Sequence, residues 1–245
     1  MIKYLKTNLE NVMKKKSSLL FLISAVCFVL FLVFTVLVAV CDKGSVAYDE
    51  AGKITSVIGF VKLNQSVFNA LGTNDLWYEF TEFLGTIAIG TAAIFAMIGI
   101  GQLAKRKSIW AVDREILLLA ALYVLIVLFY LFFEVVVLNY RPILVGGGFE
   151  ASYPSSHTML ACCIFVTAPF ACQHLIKASG THSTVSLLCF IFAPIMVVGR
   201  LLAGVHWLTD IIGSLLLSAS LVLLYIASIT LLNEIAPHKK QHSHR

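Results

Sequence analysis

Charge is scarce in this chain of 245 residues: only 13% are Asp, Glu, Lys or Arg, while 59% are hydrophobic. A soluble domain carries about 25% charged residues, so an ordinary water-soluble fold is excluded. The net charge of +5 is too small to suggest a nucleic-acid partner. There is no HExxH, no paired-carboxylate cluster and no phosphate-binding P-loop. Cysteine is sparse, and the six present (27, 41, 162, 163, 172, 189) form no CxxC pair and fall almost entirely in apolar runs. They read as packing residues, neither a disulfide framework nor a metal site. Internal repeats, low-complexity runs and a second domain are also absent, so residues 1–245 read as one domain.

What is there is a series of long apolar stretches. Ser17–Val40 has 24 residues without a charge. A bilayer crossing needs about 20, and a signal-peptide core only about 7–15, so this reads as an uncleaved first helix. Further spans are predicted at Phe83–Leu103, Ile116–Leu138, His157–Ile176, Val185–Val198 with its flanks, and Leu208–Leu232. Pro194 is expected to kink the fifth. The fold class is therefore all-α, a membrane bundle of six transmembrane helices. Residues 41–82 are more polar. Ile54, Val57, Ile58 and Val61 repeat at helical spacing, and Leu76, Trp77, Phe80 and Phe83 nearly so. One or two amphipathic helices on the membrane surface are expected there, an ordinary connecting loop being the alternative.

Basic residues set the orientation. Residues 1–16, the 104–115 loop, the turn at Lys177 and the tail 233–245 all carry an excess or cluster of Lys and Arg, whereas 41–82 has twice as many acids as bases. Six spans with both termini cytoplasmic satisfy the positive-inside rule in a plasma membrane. The loops at 139–156 and 200–207 then fall together on the outer side. The histidines of the tail read as part of a solvated basic segment.

Those two loops hold most of the polar groups that the spans otherwise avoid. Asn139-Tyr140-Arg141-Pro142 ends span three; alone, Arg141 reads as an interfacial anchor. Tyr153-Pro154-Ser155-Ser156-His157 opens span four, where Ser155 or Ser156 can cap the helix and its first-turn N–H groups form an anion site. Arg200-x5-His206-x3-Asp210 comes last. On a helix, His206 and Asp210 would share one face, the carboxylate holding one ring nitrogen and freeing the other to attack. A helix end with snorkelling Arg and His is the bland alternative. Together the three groups supply two guanidiniums, a helix N-terminus and two histidines, a set suited to phosphoryl transfer.

These three ordered motifs resemble the signature of the type 2 phosphatidic acid phosphatases, a family of membrane lipid phosphate phosphatases. The resemblance covers about residues 134–210. It implies His206 as nucleophile, Asp210 as its orienting carboxylate and His157 as general acid, with Arg141, Arg200, Ser155 and Ser156 cradling phosphate. It implies no cofactor and no metal, and membrane lipids as surroundings. The expected activity is hydrolysis of a lipid phosphate or diphosphate at the outer face through a phosphohistidine. Undecaprenyl diphosphate, phosphatidylglycerophosphate and phosphatidate all fit as substrates. A lipid phosphotransferase, or a non-catalytic lipid-phosphate binder or transporter, is the alternative.

Three positions depart from the family pattern. Glu134 stands where the family usually has Lys, and an acid cannot hold phosphate as Lys does. Its role is left open, with pairing to Arg141 or Arg200 one expectation. Ser156 replaces a Gly and Gly199 replaces a Ser.

Overall fold

The computed structural model describes residues 2–48, 54–144, 150–173, 175 and 178–235. The triple glycine at 146–148, Lys177 and the histidine-bearing tail lie outside them. Seven α-helices make up most of the described chain: α1 (Ile2–Val40), α2 (Val61–Leu71), α3 (Asp75–Arg106), α4 (Arg114–Val135), α5 (Ser156–Cys172), α6 (Ser179–Leu202) and α7 (Leu208–Ile235). Helices α1, α3, α4, α6 and α7 each contain a stretch long and apolar enough to cross a membrane. Helix α5, the predicted fourth span, is apolar but only 17 residues long. At 1.5 Å per residue it covers roughly 26 Å, short of the roughly 30 Å of a hydrocarbon core.

The region between the first two spans differs from expectation. It begins with an antiparallel hairpin of β1 (Gly44–Tyr48) and β2 (Ile54–Ile58), paired from Gly44–Ile58 to Tyr48–Ile54. The helical spacing of Ile54, Val57 and Ile58 was misleading because the run Ile-Thr-Ser-Val-Ile is β-branched at four of five positions, which favours extended backbone. One separate surface helix does follow, α2. The second expected one does not exist: Leu76, Trp77, Phe80 and Phe83 belong to the first turns of α3. Asn74 caps α3 by accepting the Trp77 N–H at 3.1 Å, and the chain then runs as helix for 32 residues.

Helix α5 is the centre of the bundle, packed against α3, α4, α6 and α7. Most of its residues are buried, including Met159, Cys163, Ile164 and Phe165. Helix α1 lies along α7. Ser24 and Ser220 exchange hydroxyl-to-carbonyl hydrogen bonds of 2.8 and 3.0 Å across that seam, satisfying polar groups where lipid could not. Cys162, Cys163 and Cys189 are buried and reduced, in keeping with a packing role.

The segment before α3 is latched to the start of α7 by a buried polar network. Asn64 of α2 donates to Thr209 Oγ1 (2.9 Å) and to Gly59 O (2.8 Å), and accepts the Thr209 N–H (3.2 Å). Asn139 accepts the Gly59 N–H at 2.9 Å and donates to Asp210. Each group buried here has a partner, as its desolvation demands.

Candidate active site

The site begins with the turn between α6 and α7. His206 lies in that turn and not on the helix, which starts at Leu208. Asp210 sits in the first turn of α7 and its carboxylate reaches back to accept the Trp207 N–H at 2.9 Å, half of a capping box. The expected shared helical face is therefore replaced by a turn that folds His206 back towards Asp210. Their separation, Nδ1 to Oδ2, is 3.7 Å. Ser152 fills the interval: its hydroxyl donates to Asp210 Oδ2 and lies 3.3 Å from His206 Nδ1. Asn139 donates to the other carboxylate oxygen at 2.8 Å. His206 Nε2 is buried with no partner.

The position of His206 sets its charge. Burial, then the positive charges of Arg200, Arg141 and His157, hold its imidazole well below the ordinary 6.5. It is a neutral base with its Nε2 lone pair uncommitted.

Arg200, near the end of α6, is fully buried. Its Nη1 donates to Glu82 Oε1 at 2.8 Å and to Thr81 Oγ1 at 3.3 Å, and its guanidinium lies 5.7 Å from the Tyr78 ring centroid. Nε and Nη2 have no partner. The fork is thus anchored on α3 through Nη1 alone. Gly199 explains itself here: a Cβ would stand 2.6 Å from Thr81 Cγ2 and 3.0 Å from Trp77 Cε3. Thr81 approaches Arg200 where the family serine would have been.

His157, at the second position of α5, places Nε2 3.2 Å from Glu82 Oε2, while Nδ1 is buried without a partner. Arg141 approaches Glu150 twice, its Nε 3.1 Å from Oε2 and its N–H donating to the backbone carbonyl at 3.1 Å. Ser155 caps α5, accepting the Thr158 N–H at 3.4 Å and donating to Thr158 Oγ1 at 3.0 Å. Its hydroxyl is thus occupied and buried, and its own N–H goes to Asp210 O. This corrects the expectation that Ser155 offers donors to phosphate. Ser156 does line the cavity, and of the first-turn N–H groups those of Ser156 and His157 are not taken up by the Ser155 cap. Glu134 pairs with neither arginine, contrary to expectation. It is exposed at the rim of the cavity, which Tyr130 also borders.

A cavity of about 550 Å³, onto which Arg141, Ser156 and His157 open, is also bordered by Tyr130, Glu134 and Glu150. An apolar groove of about 310 Å³ joins it at Tyr130, Ser156 and His157, and runs between α3, α4 and α5 along Ile89, Val127 and Leu160. His206 borders a crevice of only about 10 Å³ that shares Tyr130, Glu134 and Ser156 with the larger cavity. That is room for no more than about one water.

Residues 137–233, which carry most of these groups, match the model of the PAP2 superfamily. This stretch is similar to the PAP2 superfamily. The resemblance read from Arg141-Pro142, Pro154–His157 and Arg200–Asp210 is thereby borne out. Phosphatidylglycerophosphatase B of Bacillus subtilis (strain 168) is 32% identical over 76 residues, which are 31% of this chain and 36% of that protein. The match thus spans about a third of the relative's length. The crystal structure of a transmembrane PAP2-type phosphatidylglycerolphosphate phosphatase from Bacillus subtilis superposes with a TM-score of 0.55 at 20% identity. That superposition covers 84% of this chain and 94% of the other. It bears out the all-α transmembrane fold.

The PAP2 motifs pointed to six of the groups gathered here. They did not point to Ser152, Asn139, Thr81 or Glu82. Ser152 and Asn139 flank the motifs, and Thr81 and Glu82 lie more than fifty residues before them. Among the described residues no cluster of three His, Cys, Asp or Glu side chains could hold a metal ion.

Proposed function

We propose that the protein is a lipid phosphate phosphatase that works through a phosphohistidine. The observation that carries this reading is the convergence of unpartnered buried nitrogens on one site: His206 Nε2 and the Nε and Nη2 of Arg200. Such atoms are costly in the absence of an anion or electrophile.

In the proposed reaction Arg200, Arg141 and the first turn of α5 hold the phosphoryl oxygens. His206 Nε2 attacks phosphorus, and the bond to the leaving oxygen breaks as His157 gives that oxygen a proton. Water then attacks the phosphohistidine, the N–P bond breaks, and His157 takes the proton from water. Asp210 and Ser152 keep the proton on His206 Nδ1 throughout.

The apolar groove beside the cavity supports a substrate with a hydrocarbon chain. The groove ends at His157, the group that would protonate the departing alcohol, so the lipid is the leaving group. The relatives' names add weight to phosphatidylglycerophosphate; phosphatidate and undecaprenyl diphosphate have the same chemistry. On α3 the site lies at Glu82, about 36 Å of helix from Arg106 at the far end. With Lys105, Arg106 and Lys107 cytoplasmic, the site faces outwards and both termini face inwards.

The test is phosphate release by the detergent-purified protein, with and without EDTA. The substrates are those three lipids and a soluble phosphate ester. Release that EDTA leaves intact and His206→Ala removes supports the reading. Transfer of phosphate to a second alcohol would move it to a phosphotransferase, and binding without release to a lipid-phosphate carrier.

A further inference from the structure

Glu82 is absent from every motif, yet it touches two of the groups on which the proposed reaction depends. One carboxylate oxygen accepts from Arg200 Nη1 at 2.8 Å and the other lies 3.2 Å from His157 Nε2. The contact is built from both sides. Gly85, one turn further along α3, has no side chain, and a Cβ there would stand 2.9 Å from His157 Cδ2 and 3.4 Å from Nε2. Thr81, on the other side, joins Glu82 on Arg200. The face of α3 that carries Tyr78, Thr81, Glu82 and Gly85 is shaped to the two residues.

The two histidines mirror each other. His206 turns Nδ1 towards Asp210 and Ser152 and leaves Nε2 buried and free. His157 turns Nε2 towards Glu82 and leaves Nδ1 buried and free. We infer that Glu82 is the positioning residue of the acid–base histidine. It fixes His157 with its proton on Nε2 and its Nδ1 towards the leaving oxygen, and it ties that histidine to the phosphate-holding Arg200. This inference rests on the phosphatase reading.

The chemistry of both half-reactions follows. As the first bond to phosphorus breaks, doubly protonated His157 gives its Nδ1 proton to the leaving alkoxide. What remains is neutral His157 with Nε2–H on Glu82 and a bare Nδ1, the tautomer that can accept the proton of water in the second step. Replacing the carboxylate by an amide upsets this. Glutamine has one acceptor oxygen, and Arg200, an obligate donor, claims it. The amide NH₂ then faces His157 Nε2, which must become the acceptor, so the neutral ring carries its proton on Nδ1.

The experiment compares wild type with Glu82→Gln, a nearly isosteric change, in single-turnover and steady-state kinetics. One substrate is phosphatidylglycerophosphate, whose alkoxide needs a proton to leave. The other is p-nitrophenyl phosphate, whose phenolate leaves without one. The first turnover on the lipid is expected to fall by about 10²-fold, the low end of general acid catalysis. The first turnover on the aryl ester should change less than about threefold, with later turnovers slowed because water activation needs the same His157. An equal fall in the first turnover on both substrates would overturn the inference and leave Glu82 a structural residue.

A second readout does not depend on turnover. Ring ¹⁵N spectra of the histidine-labelled protein above pH 8 should show His157 protonated on Nε2 in wild type and on Nδ1 in Glu82→Gln. The Nδ1 tautomer in wild type, or the same tautomer in both, would overturn the inference. Wild-type protein that releases phosphate from neither substrate would sink the phosphatase reading instead, and the spectra would still decide the role of Glu82.

Discussion

His206 and Asp210 are joined through the hydroxyl of Ser152. The direct distance of 3.7 Å is beyond a hydrogen bond, while Ser152 lies 3.3 Å from Nδ1 and donates to the carboxylate. The orienting function is therefore shared, and the two partners should differ in what their loss costs. Asp210 also accepts from Asn139 and the Trp207 N–H, so Asp210→Asn removes a charge and presents donors with a second donor. A fall in kcat of roughly 10²–10⁴ is expected, the range seen when a histidine is left in the wrong tautomer or without its partner. Ser152→Ala leaves the carboxylate in place and should cost about tenfold. Equal losses in the two variants would show that Ser152 and Asp210 act only as one unit.

His206→Ala removes the proposed nucleophile without disturbing the network beneath it, since Asp210 keeps three other donors. A loss of at least about 10³ in kcat is expected with the detergent melting temperature nearly unchanged. Residual activity near one tenth of wild type would rule out phosphoryl transfer through this ring.

The charge state of His206 gives a prediction about pH and stability. Its folded-state affinity for protons is depressed, by burial first and then by Arg200, Arg141 and His157. In the unfolded chain it titrates near 6.5. Below that value the unfolded state binds a proton that the folded state refuses, so stability falls as pH drops and is fully present above 6.5. Melting temperatures of wild type and His206→Gln, measured from pH 7.5 down to 5, should therefore diverge, with wild type losing more. Parallel curves would mean that the ring titrates alike in the folded and unfolded chain, so that burial does not hold it neutral.

Much of this architecture was legible in the sequence, because hydropathy over twenty residues is a cumulative signal and three spaced motifs constrain one another. The hairpin was not. Ile54, Val57, Ile58 and Val61 satisfy a helical period by coincidence, and the short β-branched run was the better guide. The start of α3 was missed because Asp75, Glu79 and Glu82 lower the hydropathy of a helix whose cap, Asn74, precedes them. Glu82 was hidden for the same reason: a carboxylate before an apolar run reads as solvated, and only the packing of α3 on α5 and α6 turns it towards Arg200 and His157. Glu134 shows the converse. Pairing with an arginine was one of the roles its place in the motif left open, but Glu82 and Glu150 occupy those arginines.

Gly199 offers a test of how closely α3 is fitted to the site. Restoring the family serine would place a Cβ 2.6 Å from Thr81 Cγ2. Gly199→Ser should cost about 1–3 kcal/mol of stability through overpacking and raise KM as α3 is pushed from Arg200. Adding Thr81→Ser removes the clashing methyl and keeps the hydroxyl, so the double variant should recover part of both losses. A strictly additive pair would show that the two sites do not touch.

The groove between α3, α4 and α5 makes the last prediction, one that separates chain recognition from chemistry. Val127 and Leu160 line it, away from the arginines and from His206. A tryptophan at either position would fill much of the space that a hydrocarbon chain needs while leaving every polar contact of the site in place. For Leu160→Trp, KM for a long-chain lipid phosphate should rise at least about tenfold, the worth of roughly two buried methylenes. The kinetics on a soluble short-chain phosphate ester should stay within about twofold of wild type, because that substrate uses the polar cavity alone. A matched loss on both substrates would place the lipid chain elsewhere and make the groove part of the packing that holds His157.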